Sequence, residues 1–315
     1  MRTLSLLAGL ALAPAAAGQD ELDDALASLP DLFAGVLGVT LAEEISGATL
    51  RIDGSGAADD TRLHTLRLPW HDDFVVPGLH GRLHLEAVAG LMLAEDHLGA
   101  QTASGFATVD QDWTLAGGQV GAGWGFPLGS SWWLRPGATL ALAYLENDAR
   151  YNEAGKIEFA PLIDGLLVNW DGWAVSPAGN LTLERERDLA RRDWGLEGRY
   201  SVASTSVFSA SSEAQEGSDT SRTLAARAEL GAPFGPAGAE SSSWDAFLGG
   251  VRFFDVDPGT LGFDGFLELG LGWTRSFPRV GPLRFEAGWI VGEDVRGYSL
   301  GVGLGPRLAP AASDP

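Results

Sequence analysis

The stretch GLHGRLHLEAVAGLML, residues 78–93, alternates along its whole length. Leu79, Gly81, Leu83, Leu85, Ala87, Ala89, Leu91 and Leu93 form one apolar set; His80, Arg82, His84, Glu86, Val88, Gly90 and Met92 form the other. A period of two means an extended strand, because successive side chains point to opposite faces. Strands of soluble proteins commonly run only about five or six residues. A run this long with an unbroken apolar face needs an unusually deep core, or lipid, beside it.

The pattern recurs. PLRFEAGWIVGED sets Leu283, Phe285, Ala287, Trp289 and Val291 against Arg284, Glu286, Gly288, Ile290 and Gly292. FDGFLELGLGWTRS sets Phe263, Gly265, Leu267, Leu269, Leu271 and Trp273 against Asp264, Glu268, Gly270, Gly272 and Thr274. Trp194, Leu196, Gly198, Tyr200 and Val202 oppose Glu197 and Arg199; Leu224, Ala226, Ala228 and Leu230 oppose Arg227 and Glu229. Trp132, Leu134, Ala138, Leu140, Leu142 and Tyr144 share a face, as do Tyr298, Leu300, Val302, Leu304 and Leu308. Between such runs lie breaker-rich segments, ENDARYNEAGK, SSEAQEGSDTS, GAPFGPAGAESSS and DVDPGT, which read as turns.

Two architectures alternate in this way. A soluble sandwich uses short strands whose apolar faces meet each other. A membrane barrel uses segments of about ten residues, an apolar lipid-facing band and aromatic girdles. Here aromatics sit near strand ends (Trp132/Trp133, Tyr144, Trp194, Phe247, Trp273, Trp289, Tyr298), where amphipathic rings favour a membrane interface. Opposite-sign pairs recur on one strand face: Arg82/Glu86, Glu197/Arg199, Arg227/Glu229 and Arg284/Glu286. The expectation is an all-β fold, a transmembrane antiparallel up-and-down β-barrel of about twelve strands, ten being the next choice. Those charged residues, with His84, are expected to face the lumen, among glycines that leave them room. Candidate strands are 48–53, 62–70, 79–94, 106–116, 119–128, 132–146, 165–175, 180–187, 193–209, 221–233, 245–255, 262–276, 283–292 and 297–308. A bulge or turn is expected at Gly117-Gly118, where apolar parity shifts. Whether the first two segments precede the barrel stays open, and no helical stretch of weight is expected beyond residue 45.

The remaining composition narrows the setting. Residues 1–17 read as a secretory signal: Arg2, an apolar run from Leu4 to Leu12, then Ala15-Ala16-Ala17. The chain has no Cys, so disulfides are not its source of stability after export. A net charge of −21 argues against a nucleic-acid partner. No window past the signal offers the roughly 20 continuous apolar residues of a membrane helix. In residues 18–47, Leu22, Leu26, Leu29, Phe33 and Val36/Leu37 recur at helical spacing, with Pro30 as a break. This segment reads as a lumen plug, a periplasmic cap or a solvated leader. The barrel is placed at 48–308 and a C-terminal tail at 309–315.

The segments LHTLRLPWHDDF (Leu63–Phe74), LHLEAVAGLMLAED (Leu83–Asp96), ARYNEAG (Ala149–Gly155) and GYSLGVGLG (Gly297–Gly305) carry a resemblance. They are similar to the solitary outer-membrane autotransporter-like β-barrel domain of Gram-negative bacteria, over roughly residues 45–308. The resemblance implies a transmembrane barrel without a large secreted passenger, and brings no catalytic residues.

The residues themselves offer few groupings with catalytic chemistry. A serine hydrolase needs a base beside its nucleophile; His64 is followed by Thr65, and no His-x-Ser stands on a strand. His80, His84 and Glu86 share a face and could supply two metal ligands and a carboxylate, but hydrogen bonding with Arg82 is the plainer reading. Asp255-Val256-Asp257-Pro258-Gly259 and His71-Asp72-Asp73 read as turns. GGQVGAGWG lacks the strand-to-helix context of a phosphate loop. The expectation is therefore no catalytic residues, no metal and no cofactor. Outer-membrane lipids and the barrel-assembly machinery are the expected partners, with oligomeric state open. The expected role is structural or surface-exposed, with a charge-paired lumen; a small-solute channel and a barrel hydrolase are the alternatives.

Overall fold

The computed structural model describes residues 47–52, 61–186, 192–211, 215–234, 242–254, 263–277 and 281–304. The signal segment, residues 18–46, the tail and DVDPGT lie outside these. Alternation produces twelve strands: β1 Gly47–Ile52, β2 Thr61–Val75, β3 Arg82–Thr102, β4 Gly105–Pro127, β5 Trp132–Tyr151, β6 Trp170–Arg185, β7 Asp193–Phe208, β8 Gly217–Pro233, β9 Ser242–Phe253, β10 Gly265–Phe277, β11 Gly281–Val291 and β12 Val295–Leu304. Each pairs antiparallel with its neighbours in sequence, and β1 pairs with β12 to close the barrel. Closure gives every strand two partners, the condition for placing backbone N–H and C=O groups in hydrocarbon. The fold is the expected twelve-stranded barrel.

Several segments differ from the expectation, each for a physical reason. Residues 106–116 and 119–128 are one strand, β4. Its register with β3 runs unbroken from Arg82↔Gly125 to Thr102↔Gly105, through Ala89↔Gly118 and Gly90↔Gly117, with no bulge or turn. The parity shift arises because β4 turns apolar side chains inward at one end (Val109, Leu115) and outward at the other (Val120, Phe126). Residues 165–175 and 180–187 merge into β6, where Pro177 faces outward opposite Leu140 without ending the strand. The first two segments belong to the barrel, at its seam. His71-Asp72-Asp73 lies within β2 rather than in a turn. Phe263 precedes β10 and is buried against Phe253 and Phe266, not turned outward with Leu267.

The segment ENDARYNEAGK, read as a turn, holds the end of β5 and most of a short helix, α1 (Glu153–Glu158), which α2 (Ala160–Ile163) follows. Asn152 caps α1: its Oδ1 accepts from Gly155 N at 2.7 Å, leaving α1 anchored beside β4. Ile163, Leu167, Val168 and Trp170 are buried there, with Trp170 edge-on to Trp113. This helical connection marks one end of the barrel, the loop end. Short connections such as Val76–Gly81 and Leu128–Ser131 mark the other, the turn end.

The outer wall carries an exposed apolar band that includes Leu66, Leu140, Leu181, Leu224, Leu248, Leu269, Leu271 and Leu300. So continuous an exposed apolar surface calls for a lipid neighbour. Aromatic residues flank the band, but Trp133 and Phe247 are not among them: both follow the inward parity of their strands, Trp133 beneath the Arg82 guanidinium and Phe247 buried beneath Arg227. At the loop end Tyr144 packs on Trp173 (5.3 Å between ring centroids) and Trp289 opposes Tyr298. At the turn end Trp132 meets Trp194, Trp244 opposes Trp273, and Trp273 stacks on Phe285 at 5.6 Å.

Candidate functional site: the charged half of the lumen

The inner wall has two halves. Toward the loop end it is richer in apolar side chains, with Leu50, Leu63, Met92, Leu115, Leu145 and Ile290 buried beside the uncharged amides Gln111 and Asn147 and the carboxylate Asp96. Toward the turn end it carries ion pairs between strands that are not neighbours. Arg199 on β7 donates to both oxygens of Glu86 on β3 (2.8 and 3.2 Å), with β4, β5 and β6 between them in the wall. Only side chains that enter the lumen can meet in this way. Arg82 on β3 reaches Asp73 (3.3 Å), Glu184 on β6 (3.3 Å) and Glu186. Arg135 on β5 contacts Glu184 (3.3 Å) and Glu197 (3.4 Å). The His84 ring lies between these groups, its Nδ1 2.8 Å from Asp73 and its Nε2 3.5 Å from Glu86, and stacks on His71.

A second network joins β8, β9 and β11. Arg227 donates to Glu229 (2.8 Å) and to Glu286 (2.7 Å), and its guanidinium lies over the Phe247 ring. Arg284 donates to Glu229 (2.7 Å) and Asp245 (2.8 Å), and also contacts Glu286. Glu268 accepts from Ser299.

Glycine makes these meetings possible. A Cβ at Gly121 would lie 2.6 Å from Glu86 Oε1, one at Gly123 3.0 Å from Arg135 Cγ, and one at Gly125 3.0 Å from Arg82 Cγ. The three alternate along the inner face of β4, forming a trough beneath the charges of β3 and β5. On β10, Gly270 leaves room for Phe247 and Gly272 for Asp245, while Gly288 on β11 does so for Glu268. Burying a charge in such a setting is unfavourable unless it is paired, and removing one partner of a buried pair costs about 3–5 kcal/mol.

All nine charged residues singled out from the sequence sit on this inner wall. Arg227 contacts Glu229, and Arg284 contacts Glu286, on their own strands. Arg82 and Glu86 instead take partners elsewhere, as do Glu197 and Arg199. Asp73, Arg135, Glu184 and Asp245 were missed. Parity could have found two of them: Arg135 alternates with Leu134 and Pro136, and Asp245 with Trp244 and Ala246. Asp73 was hidden by the turn reading of His71-Asp72-Asp73.

The suggested metal set does not assemble. His80 lies before β3, in the turn, where its carbonyl accepts from Trp124 Nε1. Among the described residues no group of three or more His, Cys, Asp or Glu could hold a metal ion. His64 faces outward and bonds Thr49 Oγ1 at 3.0 Å, away from the lumen.

Solved structures similar to this one include autotransporter barrels. The translocator domain of autotransporter NalP from Neisseria meningitidis matches with TM-score 0.50 at 14% identity, over 89% of this chain and 96% of that one. The transport unit of autotransporter AIDA-I from Escherichia coli matches with TM-score 0.50 at 10% identity, over 88% and 99%. At these identities the likeness is one of fold. No functionally curated protein matches the chain in sequence. The family described as solitary outer membrane autotransporter beta-barrel domain matches residues 54–283. The closed twelve-stranded wall, its aromatic girdles and that match together make this chain a member of the solitary outer-membrane autotransporter β-barrel family.

Proposed function

We propose that the protein is a non-conducting outer-membrane barrel, structural or surface-exposed in role and without a secreted passenger. Arg199–Glu86 and Arg227–Glu286 support this reading most directly: each is a close ion pair between non-neighbouring strands, so it occupies bore that a channel would keep open. A selective pore would gather one sign of charge at a constriction, whereas both networks here are mixed in sign. Arg82, Arg135, Arg199, Arg227 and Arg284 are each paired with carboxylates of the inner wall, and the reading assigns these groups no reaction. Residues 1–17 direct export, and the barrel-assembly machinery inserts the chain. Short turns face the periplasm and the α1–α2 loop faces outward, as is usual for such barrels.

In the apolar half of the lumen Ala48, Ala94, Ala141, Ala143 and Ala174 are buried, although an alanine is too short to reach across a bore. Of the three roles that helical spacing leaves open for residues 18–46, we propose the lumen plug. Planar-bilayer recording tests the proposal. The purified protein is expected to show little or no steady conductance, and the double substitution Arg82→Gln/Arg284→Gln to raise it. Large stable steps from the unmodified protein would overturn the reading in favour of a channel.

A further inference from the structure

The outer wall carries a charge feature that the lumen does not explain. In the closing register Arg51 on β1 stands directly opposite Arg296 on β12 and Arg62 on β2. All three are exposed and follow the outward parity of their strands. Directly opposed like charges destabilise a sheet, yet three of the chain's 21 Lys and Arg residues are gathered in this one row.

The surroundings define its level. Two residues toward the turn end, the adjacent outward row is Tyr298, Thr49 and His64, and Tyr298 opposes Trp289 of the loop-end girdle. Beyond it the wall is apolar and exposed at Leu66, Leu68, Leu300 and Val302. The arginines therefore stand one step outside the aromatic ring, at the height of lipid headgroups. Along the same row Glu95 opposes Arg62 and Val291 opposes Arg296; Glu293 and Asp294 lie in the adjoining turn. Arg51 and Arg296 hold further contacts within the chain.

We propose that Arg51, Arg62 and Arg296 form an external site for the phosphate groups of the phosphorylated glycolipid of the outer leaflet. Guanidinium donors match phosphate oxygens in pairs. Two phosphates on one headgroup would accept further guanidinium hydrogen bonds along the row, while acyl chains lie along Leu66, Leu68, Leu300 and Val302. The leaflet rests on the outward placement of the loop end; the chemistry of the site does not. Binding in micelles therefore tests the site separately from that placement.

The full chain, folded in neutral detergent, is titrated with bisphosphorylated lipid A and followed by native mass spectrometry. One lipid is expected to be retained, and dephosphorylated lipid A is not. Arg51→Gln/Arg62→Gln/Arg296→Gln is expected to bind at least about tenfold more weakly, and Arg62→Gln alone to show a smaller loss in the same direction. Arg150→Gln, at an outward arginine already paired with Asp112 on β4, is expected to leave binding unchanged. Heat-modifiable migration reports folding; if the triple variant fails to fold, the Arg62→Gln comparison alone decides. Equal retention of lipid by the Arg62→Gln and unmodified proteins overturns the site, as does retention of the dephosphorylated lipid. Displacement by millimolar inorganic phosphate would make it a free-anion site, and equal binding of phosphatidylglycerol a general anionic-lipid site; either result overturns the proposal.

Discussion

Gly121→Ala should be far more damaging than the loss of one hydrogen for a methyl suggests. Gly121 lies on the inner face of β4, with Glu86 of β3 opposite on one side and Thr139 of β5 on the other. Its Cβ would stand 2.6 Å from Glu86 Oε1, 2.7 Å from Glu86 Cγ and 2.7 Å from Thr139 Cγ2. Thr139 is buried and β-branched, so its χ1 gives little. Glu86 must then move, and it is held by two hydrogen bonds from Arg199. Overpacking alone costs about 1–3 kcal/mol; if Glu86 leaves Arg199, the broken buried pair raises the cost toward about 3–5 kcal/mol. The control is Gly198→Ala on the outward face of β7, where nothing lies within 4 Å of the added Cβ. That change should be neutral or stabilising by up to about 1 kcal/mol, since glycine weakens a strand relative to alanine. Urea unfolding in lipid vesicles, followed by tryptophan fluorescence and gel mobility, measures both. Equal stability of the two variants would refute the trough and the packing of Glu86 across it.

Leu140→Arg places a charge on the exposed mid-wall of β5 and should cost about 2–4 kcal/mol of insertion, while His84→Arg, flanked by Asp73 and Glu86 inside, should be tolerated; folding yield into vesicles gives the ranking, and its reversal would invert the two faces. Arg199→Met should destabilise by about 3–5 kcal/mol through an orphaned Glu86, and Arg199→Met/Glu86→Met should recover most of that loss in a double-mutant cycle, so additive losses would deny the cross-lumen pair. Removal of residues 18–46 behind an intact signal should lower the unfolding midpoint and raise conductance; if both stay unchanged, the segment does not occupy the lumen.

The barrel was legible where inner and outer faces differ in kind along a whole strand. Between Leu267 and Trp273 of β10, Leu267, Leu269 and Leu271 face out while Glu268, Gly270 and Gly272 face in, and no residue of that stretch breaks the contrast. It was less legible where the lumen itself is apolar. In β4 the apolar residues change sides along an unbroken backbone, because one end of the strand lines the apolar half of the lumen and the other end faces lipid. A period-two reading assigns the apolar set to one side and so finds an interruption that the register denies. The separation of 165–175 from 180–187 likewise does not hold: Pro177 lacks one donor, but β6 continues its pairing with β5 through that position.

The charged site was legible as a set of inward residues but not as a set of partners. Alternation reports the face a residue occupies and says nothing of what stands across a curved wall. Arg199 and Glu86 are 113 positions apart, and they meet only because closure brings β7 over β3. One local signal does carry information across strands. Gly121, Gly123 and Gly125 recur at every second position on the inner face of β4, and each has a long side chain from β3 or β5 above it. Gly270 and Gly272 repeat the device on β10, under Phe247 and Asp245 of β9. A run of alternate inward glycines is thus more than a permissive backbone: it marks where neighbouring strands must fold long or charged side chains over the wall. Substitutions at those glycines should therefore perturb the ion pairs of the flanking strands, whereas the same substitution at an outward glycine such as Gly198 should not.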